Sequence, residues 1–129
     1  MPIRTLSAAV AASLLLLLAT VTACVSDPQR PADCDAGAVQ RQATLGAERL
    51  DPDAINVCRD QRVTLDIAVE QDGVLHLHGY EEEAPATEVH AGENVQLAFR
   101  AVRSGQFPIE LHQPNGVEAE VGILTVHEP

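Results

Sequence analysis

Three histidines of the 129-residue chain are spaced so that they could bind one transition-metal ion. His76 and His78 are two residues apart, and His112 ends a later run with the same alternation. Residues at i and i+2 share one face of a β-strand, so these imidazoles could meet on one sheet surface. Imidazole is a ligand for Cu(II) and Zn(II), and Glu110, on the same face as His112, could add a carboxylate oxygen. The sequence therefore predicts a candidate Cu(II) or Zn(II) site at His76, His78, His112 and Glu110.

The same spacing has a second interpretation that needs no metal. Strict alternation places every other residue on the solvated side of a half-buried strand, so three histidines there could be ordinary polar residues. The acidic run 81–83 could attract cations toward them, or could favour their charged form and make the surface respond to pH. His90 and His127 lie near turns or the terminus, and we expect them to be plain surface residues.

Apolar residues with a period of two define the strands that would carry these side chains. Turn signals containing glycine separate the runs, and short strands at such spacing indicate a sandwich or a barrel. The alternating apolar positions are Val63, Leu65, Ile67 and Val69; Val95, Leu97, Phe99 and Ala101; Phe107, Ile109 and Leu111; and Leu124 and Val126. The periodicity predicts an all-β domain, and by itself it fits an immunoglobulin-like sandwich as well.

Several motifs follow one another in a defined order over residues 50–126. They are Ile55-Asn56-Val57, Val63-Thr64-Leu65, the stretch from His76 to Tyr80, Gly92-Glu93, Gly105-Gln106-Phe107 with Glu110 to His112, and the closing Gly122 to Val126. In this order they resemble the cupredoxin-like β-sandwiches of bacterial envelope proteins. The resemblance implies a small Greek-key β-sandwich, which we place at residues 48–129.

The departures from that family decide which chemistry is possible. Blue-copper members carry a cysteine where this chain has Leu111, and an axial methionine where it has the segment 118–121. The only methionine of the chain is Met1. A thiolate-ligated blue site is therefore excluded, and with it the usual basis for electron transfer. There is no nucleophile elbow, phosphate loop or HExxH helix, so we expect no enzyme activity.

The N-terminal residues indicate export and anchoring to a membrane. Arg4 precedes an uncharged apolar run from Leu6 to Val21, which is typical of a secretory signal and short for a spanning helix. Val21-Thr22-Ala23-Cys24 resembles the bacterial lipobox, which implies cleavage of residues 1–23 and acylation of Cys24. An ordinary signal peptide is the alternative. The resemblance implies a domain on the extracytoplasmic side of the cell membrane, held there by acyl chains. We expect residues 24–47 to be the lipidated cysteine and a polar tether.

Cysteine usage and charge agree with an exported binding module. We expect Cys34 and Cys58 to form a disulfide, although two free thiols could also act as soft metal ligands. Without residues 1–23 the chain has seven arginines, no lysine and 19 acidic residues, a formal net charge of −12. This charge repels phosphate, so no nucleic-acid partner is expected. Two functions of different class remain: a membrane-anchored module that binds Cu(II) or Zn(II), and a metal-free module that contacts another protein of the cell envelope.

Overall fold

A computed structural model describes residues 30–129, and this part of the chain contains nine β-strands and no helix. The predicted signal peptide, Cys24 and the first part of the predicted tether lie outside the described residues. The strands are β1 Ala38–Leu45, β2 Leu50–Asp51, β3 Ala54–Cys58, β4 Arg62–Val69, β5 Gly73–Leu77, β6 Thr87–Val89, β7 Asn94–Arg100, β8 Gly105–His112 and β9 Glu118–His127. Across residues 30–129 there is no helix long and apolar enough to cross a bilayer.

The strands form a sandwich of two sheets. The first sheet has the order β2-β1-β4-β7, and the second has the order β3-β9-β8-β5-β6. The pairs β1–β4 and β3–β9 are parallel, while the other neighbours are antiparallel. Because β4 and β5 follow each other in sequence but belong to different sheets, the chain crosses between the layers and buries one face of each sheet against the other.

The prediction of an all-β sandwich is confirmed. In β4, Val63, Leu65, Ile67 and Val69 are buried, and the residues between them face outward. The runs around Leu97 and Ile109 form β7 and β8 with the same inward alternation, and the run around Leu124 lies in β9, which is buried along most of its second half. Aliphatic side chains from both sheets fill the core, as the scarcity of aromatic residues in the sequence requires.

The expectation of a tether over residues 24–47 is wrong for its second half. Residues Ala38–Leu45 form β1, which pairs with β4 along all eight of its residues. Its apolar period is interrupted by Arg41, which lies on the inward side between Val39 and Ala43. Arg41 Nε donates to Asn56 O at 2.9 Å, and Arg41 Nη2 pairs with Asp33 Oδ1 at 2.9 Å. The guanidinium therefore lies at the sheet edge and not in the apolar core. Because this charged residue occupies an inward position, the sequence of β1 lacks the apolar alternation typical of a half-buried strand.

The aromatic residues, Tyr80, Phe99 and Phe107, pack together at one place in the core. Tyr80 is fully buried, with its ring edge-on to Phe107 at 4.7 Å and to Phe99 at 5.6 Å between centroids. Its hydroxyl donates to Arg103 O at 2.6 Å and accepts from Arg103 N at 2.9 Å. Burial raises the pKa of the Tyr80 phenol. This tyrosine therefore fixes the 101–104 loop to the core.

A disulfide and a buried amide hold the segment before β1 against the sandwich. Cys34 and Cys58 form the predicted disulfide, with 5.2 Å between their Cα atoms. Beside it, the Gln61 side chain is 1 % exposed. Gln61 Nε2 donates to Asp33 O at 2.7 Å and to Ala36 O at 3.1 Å, and Gln61 Oε1 accepts from Cys58 N at 2.8 Å. The segment 33–36 is thus attached to the domain before the first strand begins.

Candidate functional site

Strand pairing brings His76, His112 and Glu110 together on the outer face of the second sheet. In the antiparallel pair β5–β8, His76 lies opposite Glu110, and Val74 lies opposite His112. The buried neighbours Leu75, Leu77 and Leu111 point the other way. The predicted outward direction of the histidines is confirmed, and it follows directly from the alternation of a half-buried strand.

His78 reaches the same surface from just beyond the end of β5. Its backbone N–H donates to Pro108 O at 2.9 Å, which continues the contact with β8. Gly79 follows with φ of 77°, a conformation that side chains other than glycine rarely adopt. A Cβ atom at Gly79 would also lie 2.9 Å from the Phe107 ring. This turn places His78 outward and Tyr80 inward within three residues.

The Glu110 carboxylate is the centre of the cluster. Glu110 Oε2 lies 2.7 Å from His78 Nε2 and 3.6 Å from His112 Nε2. About a quarter of the Glu110 side chain is exposed, and the side chains of His78 and His112 are 48 % and 33 % exposed. The His112 Nε2 atom is buried and has no hydrogen-bond partner within the described part of the chain. One carboxylate thus lies within reach of two imidazoles on one open surface.

The imidazole rings are stacked in a row. The centroids of His76 and His112 are 4.1 Å apart with an interplanar angle of 25°, and those of His76 and His78 are 6.4 Å apart at 26°. The lone pairs of an imidazole lie in the ring plane, so nearly parallel rings do not direct their nitrogens to one point. This agrees with the finding that no three His, Cys, Asp or Glu side chains in residues 30–129 are already arranged around a metal position. Binding one ion would require the rings to turn about their side-chain bonds.

Further carboxylates surround the cluster. Glu81 Oε1 lies 3.4 Å from His78 Nδ1, and Glu118 Oε1 lies 3.6 Å from His112 Nδ1. Gly79 N donates to Glu81 Oε1 at 3.0 Å, and this hydrogen bond is the largest cause of a lowered pKa of the Glu81 carboxyl. Glu120 is exposed and lies opposite Glu110 in the β8–β9 register. The surface therefore has more carboxylates than imidazoles, and it attracts cations.

The other two histidines lie apart from this cluster. His127 is paired with Cys58 in the β3–β9 register, and its Nε2 lies 2.9 Å from Asn56 Oδ1. His90 is exposed and faces two carboxylates, with Asp72 at 3.9 Å and Glu88 at 3.7 Å. His90 and His112 both line a groove of about 380 Å³. No described contact joins either residue to the His78–Glu110 pair.

The sequence interpretation named Glu81 as part of the acidic run 81–83, but it did not connect Glu118 and Glu120 with the histidines. Glu118 and Glu120 face outward in β9, whereas period-two alternation extended back from the buried Leu124 would have placed them inward, since both are an even number of residues away. Their alignment with β8 depends on a β-bulge between Ile109 and Glu110, which shifts the register by one residue. Gly122, a glycine within β9 next to that shift, is the local sequence signal that could have marked the bulge.

The fold is that of the cupredoxin-like domains. No protein-family model matches the chain, and no curated protein matches its sequence. Solved structures with a similar fold include a blue copper oxidase from Nitrosomonas europaea, with a TM-score of 0.55, 14 % identity and coverage of 70 % of this chain and 39 % of that chain. A mutant laccase from B. aclada has a TM-score of 0.55 at 13 % identity, with coverage of 71 % and 23 %. A multi-copper oxidase from Pseudomonas thermotolerans has a TM-score of 0.52 at 12 % identity, with coverage of 70 % and 30 %.

This likeness shows the architecture alone, because the chain spans less than half the length of each of these oxidases. The described residues do not fit a blue-copper site. Leu111, at the position where that family carries its cysteine ligand, is fully buried in the core. Cys34 and Cys58 are joined in the disulfide, and residues 30–129 include no methionine. The thiolate and thioether ligands of such a site are therefore missing from this domain.

Proposed function

We propose that the chain is a membrane-anchored, extracytoplasmic cupredoxin-like module that binds Cu(II) or Zn(II) at His76, His78, His112 and Glu110. The observation that carries this proposal is the position of Glu110 Oε2, within 2.7 Å of His78 Nε2 and 3.6 Å of His112 Nε2, with His76 stacked on His112. Three imidazole nitrogens and one carboxylate oxygen suit either ion, in a site without the colour of a blue-copper centre.

The cluster can adapt to an ion because it is exposed. About half of the His78 side chain and a third of the His112 side chain are accessible, so their rings can rotate without disturbing the core. Glu81 and Glu118 already lie next to the second nitrogens of those rings and could hold them in a ligating orientation. Affinity is expected to fall as pH decreases, because protons compete with the metal for the imidazoles.

Anchoring rests on the sequence of residues 1–24. The apolar run and the lipobox-like Val21-Thr22-Ala23-Cys24 support acylation of Cys24, and the Cys34–Cys58 disulfide is of the kind that persists outside the cytoplasm. The proposed partner of the N-terminus is the membrane itself, through acyl chains. The high negative charge of the chain argues against a nucleic-acid partner.

A second candidate function is a metal-free module that contacts another envelope protein. The nearly parallel histidine rings favour it, since within residues 30–129 no side chains are already arranged to hold an ion. In that case the histidine–glutamate surface would be a polar contact area rather than a site for an ion.

The experiment that separates the two is a metal titration of the full chain, purified in detergent without a histidine tag. Calorimetry should show binding of one equivalent of Cu(II) or Zn(II), and electron paramagnetic resonance of the Cu(II) form should show nitrogen ligands without a blue-copper signature. Replacing His76, His78 or His112 singly by Ala should each weaken binding at least about tenfold. Glu110→Gln keeps the side-chain shape and should also weaken it.

His127→Ala is the matched control. It also removes one imidazole, but the His127 ring contacts Asn56 and not the cluster, so metal binding should not change. His90→Ala is a second control. Equal effects of all five alanine substitutions, or binding without a defined stoichiometry, would overturn the metal proposal in favour of the interaction module.

A further inference from the structure

Four strands form the edges of the two sheets, and β7 is the longest of them. Part of β1 also lacks a second partner strand, because β2 pairs only with its last two residues. Within residues 30–129, β2 and β6 are edge strands of two and three residues, too short to pair extensively with another strand. The third edge, β3, has its Asn56 carbonyl capped by Arg41 Nε at 2.9 Å. The fourth, β7, has seven residues, Asn94–Arg100, and pairs with β4 alone. Proteins usually protect such an edge, because its free N–H and C=O groups can bind another strand.

The hydrogen-bond phase of β7 shows which of its backbone groups are free. Ala101 N donates to Gln61 O at 2.9 Å, and Val69 N donates to Glu93 O at 2.8 Å. In the same register, the residues of β7 bonded to β4 are Val95, Leu97 and Phe99. The backbone groups of Asn94, Gln96, Ala98 and Arg100 therefore point to the open edge, and all four residues are exposed.

We propose that β7 pairs with β7 of a second copy of this chain, antiparallel and centred on Leu97, to form a two-fold symmetric dimer with one continuous sheet. In this register Gln96 lies opposite Ala98 of the other copy, and Asn94 lies opposite Arg100 of the other copy. Each of these four residues then belongs to a hydrogen-bonded pair, so every free backbone N–H and C=O group of the β7 edge gains a partner.

Charge favours a second copy at this edge over any other face. The chain is strongly acidic, and two copies repel each other where their carboxylates meet, as on the histidine–glutamate surface. Arg100 is the charged residue of β7, and in the chain itself it lies directly opposite Arg62 in β4, a like-charge pair. In the proposed dimer its new cross-strand neighbour is the uncharged Asn94. The contact is small, so we expect weak association that the crowding of anchored copies on a membrane would raise.

A pair of substitutions at Asn94 tests the register. Asn94 is exposed and faces Ala68 within its own chain, so a charge there has no charged partner in the monomer's β4. Asn94→Glu would place a carboxylate opposite Arg100 of the other copy and should tighten the dimer about threefold to tenfold. Asn94→Arg would place like charges together twice and should weaken it by a similar factor. The net charge alone predicts the opposite order, because Asn94→Arg makes the chain less acidic.

The measurement is sedimentation equilibrium of the full chain in a density-matched detergent, from about 10 µM to about 1 mM, the range expected for an interface below about 1,200 Å². Ala98→Pro removes a free-edge N–H and should weaken the dimer at least about tenfold. Gln42→Arg and Gln42→Glu are matched controls, because they change the net charge by the same amounts at an exposed position of β1, which β4 separates from β7.

The dependence of dimerisation on these substitutions decides whether β7 pairs with β7 of a second copy. A concentration-dependent dimer with Asn94→Glu tighter than the original chain and Asn94→Arg weaker supports the pairing. A chain that stays monomeric at about 1 mM overturns it, as does a dimer indifferent to Ala98→Pro. An order at Asn94 that follows net charge also overturns it. If Ala98→Pro does not fold, the Asn94 pair decides alone, since both variants keep every β4–β7 hydrogen bond.

Discussion

Removing the Tyr80 hydroxyl should lower the stability of the domain, because this one atom makes two hydrogen bonds to the backbone of Arg103. Tyr80→Phe keeps the ring and its contacts with Phe99 and Phe107 but leaves Arg103 N and Arg103 O without their partner. Groups left unpaired in a partly buried place cost about 1–3 kcal/mol, and we expect about 2 kcal/mol here. For a domain of this size that corresponds to a decrease in melting temperature of about 8–16 °C.

The pH dependence of that difference provides a second test. An unfolded tyrosine ionises near pH 10, whereas burial raises the pKa of folded Tyr80 above that value. The folded state therefore holds its proton longer, and the original chain loses stability as pH rises through the unfolded pKa toward the folded one. Phenylalanine has no proton to lose, so the difference between the two chains should shrink above about pH 10.

Urea unfolding followed by far-UV circular dichroism at pH 7 and at about pH 10.5 measures both effects. Ser104→Ala is the matched control, because it removes a neighbouring hydroxyl whose bond to Glu128 is exposed, and it should change stability by less than about 0.5 kcal/mol. A loss for Tyr80→Phe no larger than that of Ser104→Ala, or a difference that grows at alkaline pH, would refute the reasoning.

Two further predictions concern cysteines. Replacing Cys34 and Cys58 together by Ser should lower the free energy of unfolding by about 3 kcal/mol, since the bridge closes a 24-residue separation, and thiol titration of the native chain should find neither of them free; two titratable thiols in oxidised protein would contradict the disulfide. Cys24→Ser should abolish labelling with radioactive palmitate and release the chain from membranes, because the acyl-accepting sulfur is gone; unchanged membrane partition of this variant would contradict the lipid anchor.

Strand positions and side-chain direction were the parts of the structure that the sequence could predict. In a half-buried strand every second residue is apolar and faces the core. This alternation predicts β4, β7 and β8, and it also predicts that His76 and His112 point outward. The strand β1 was not predicted, because Arg41 occupies an inward position in it. The Arg41 guanidinium pairs with Asp33 and donates to the Asn56 carbonyl at the sheet edge. These contacts of Arg41 involve residues distant from it in sequence, so the local apolar pattern cannot predict them.

The arrangement within the candidate site could be predicted only in outline. Alternation places Glu110 and His112 on one face, but their distances to His78 depend on the β5–β8 register, and the distance from Glu118 to His112 depends on the bulge in the β8–β9 pair. The stacking of His76 on His112 depends on rotamers that neighbouring side chains decide. Gln61 is the clearest omission, since a lone glutamine gives no sign that it will be buried with three backbone partners.

The attachment of segment 33–36 by Gln61 and the disulfide would also limit the distance between the domain and a bilayer in which Cys24 is anchored. If Cys24 carries the acyl chains, only ten residue steps separate the membrane surface from Cys34, which is fixed to the sandwich. Even a fully extended chain covers at most about 36 Å over that distance. The domain would therefore stay within about one protein diameter of the lipid surface. It could bind only ligands or partners that approach the membrane to that distance.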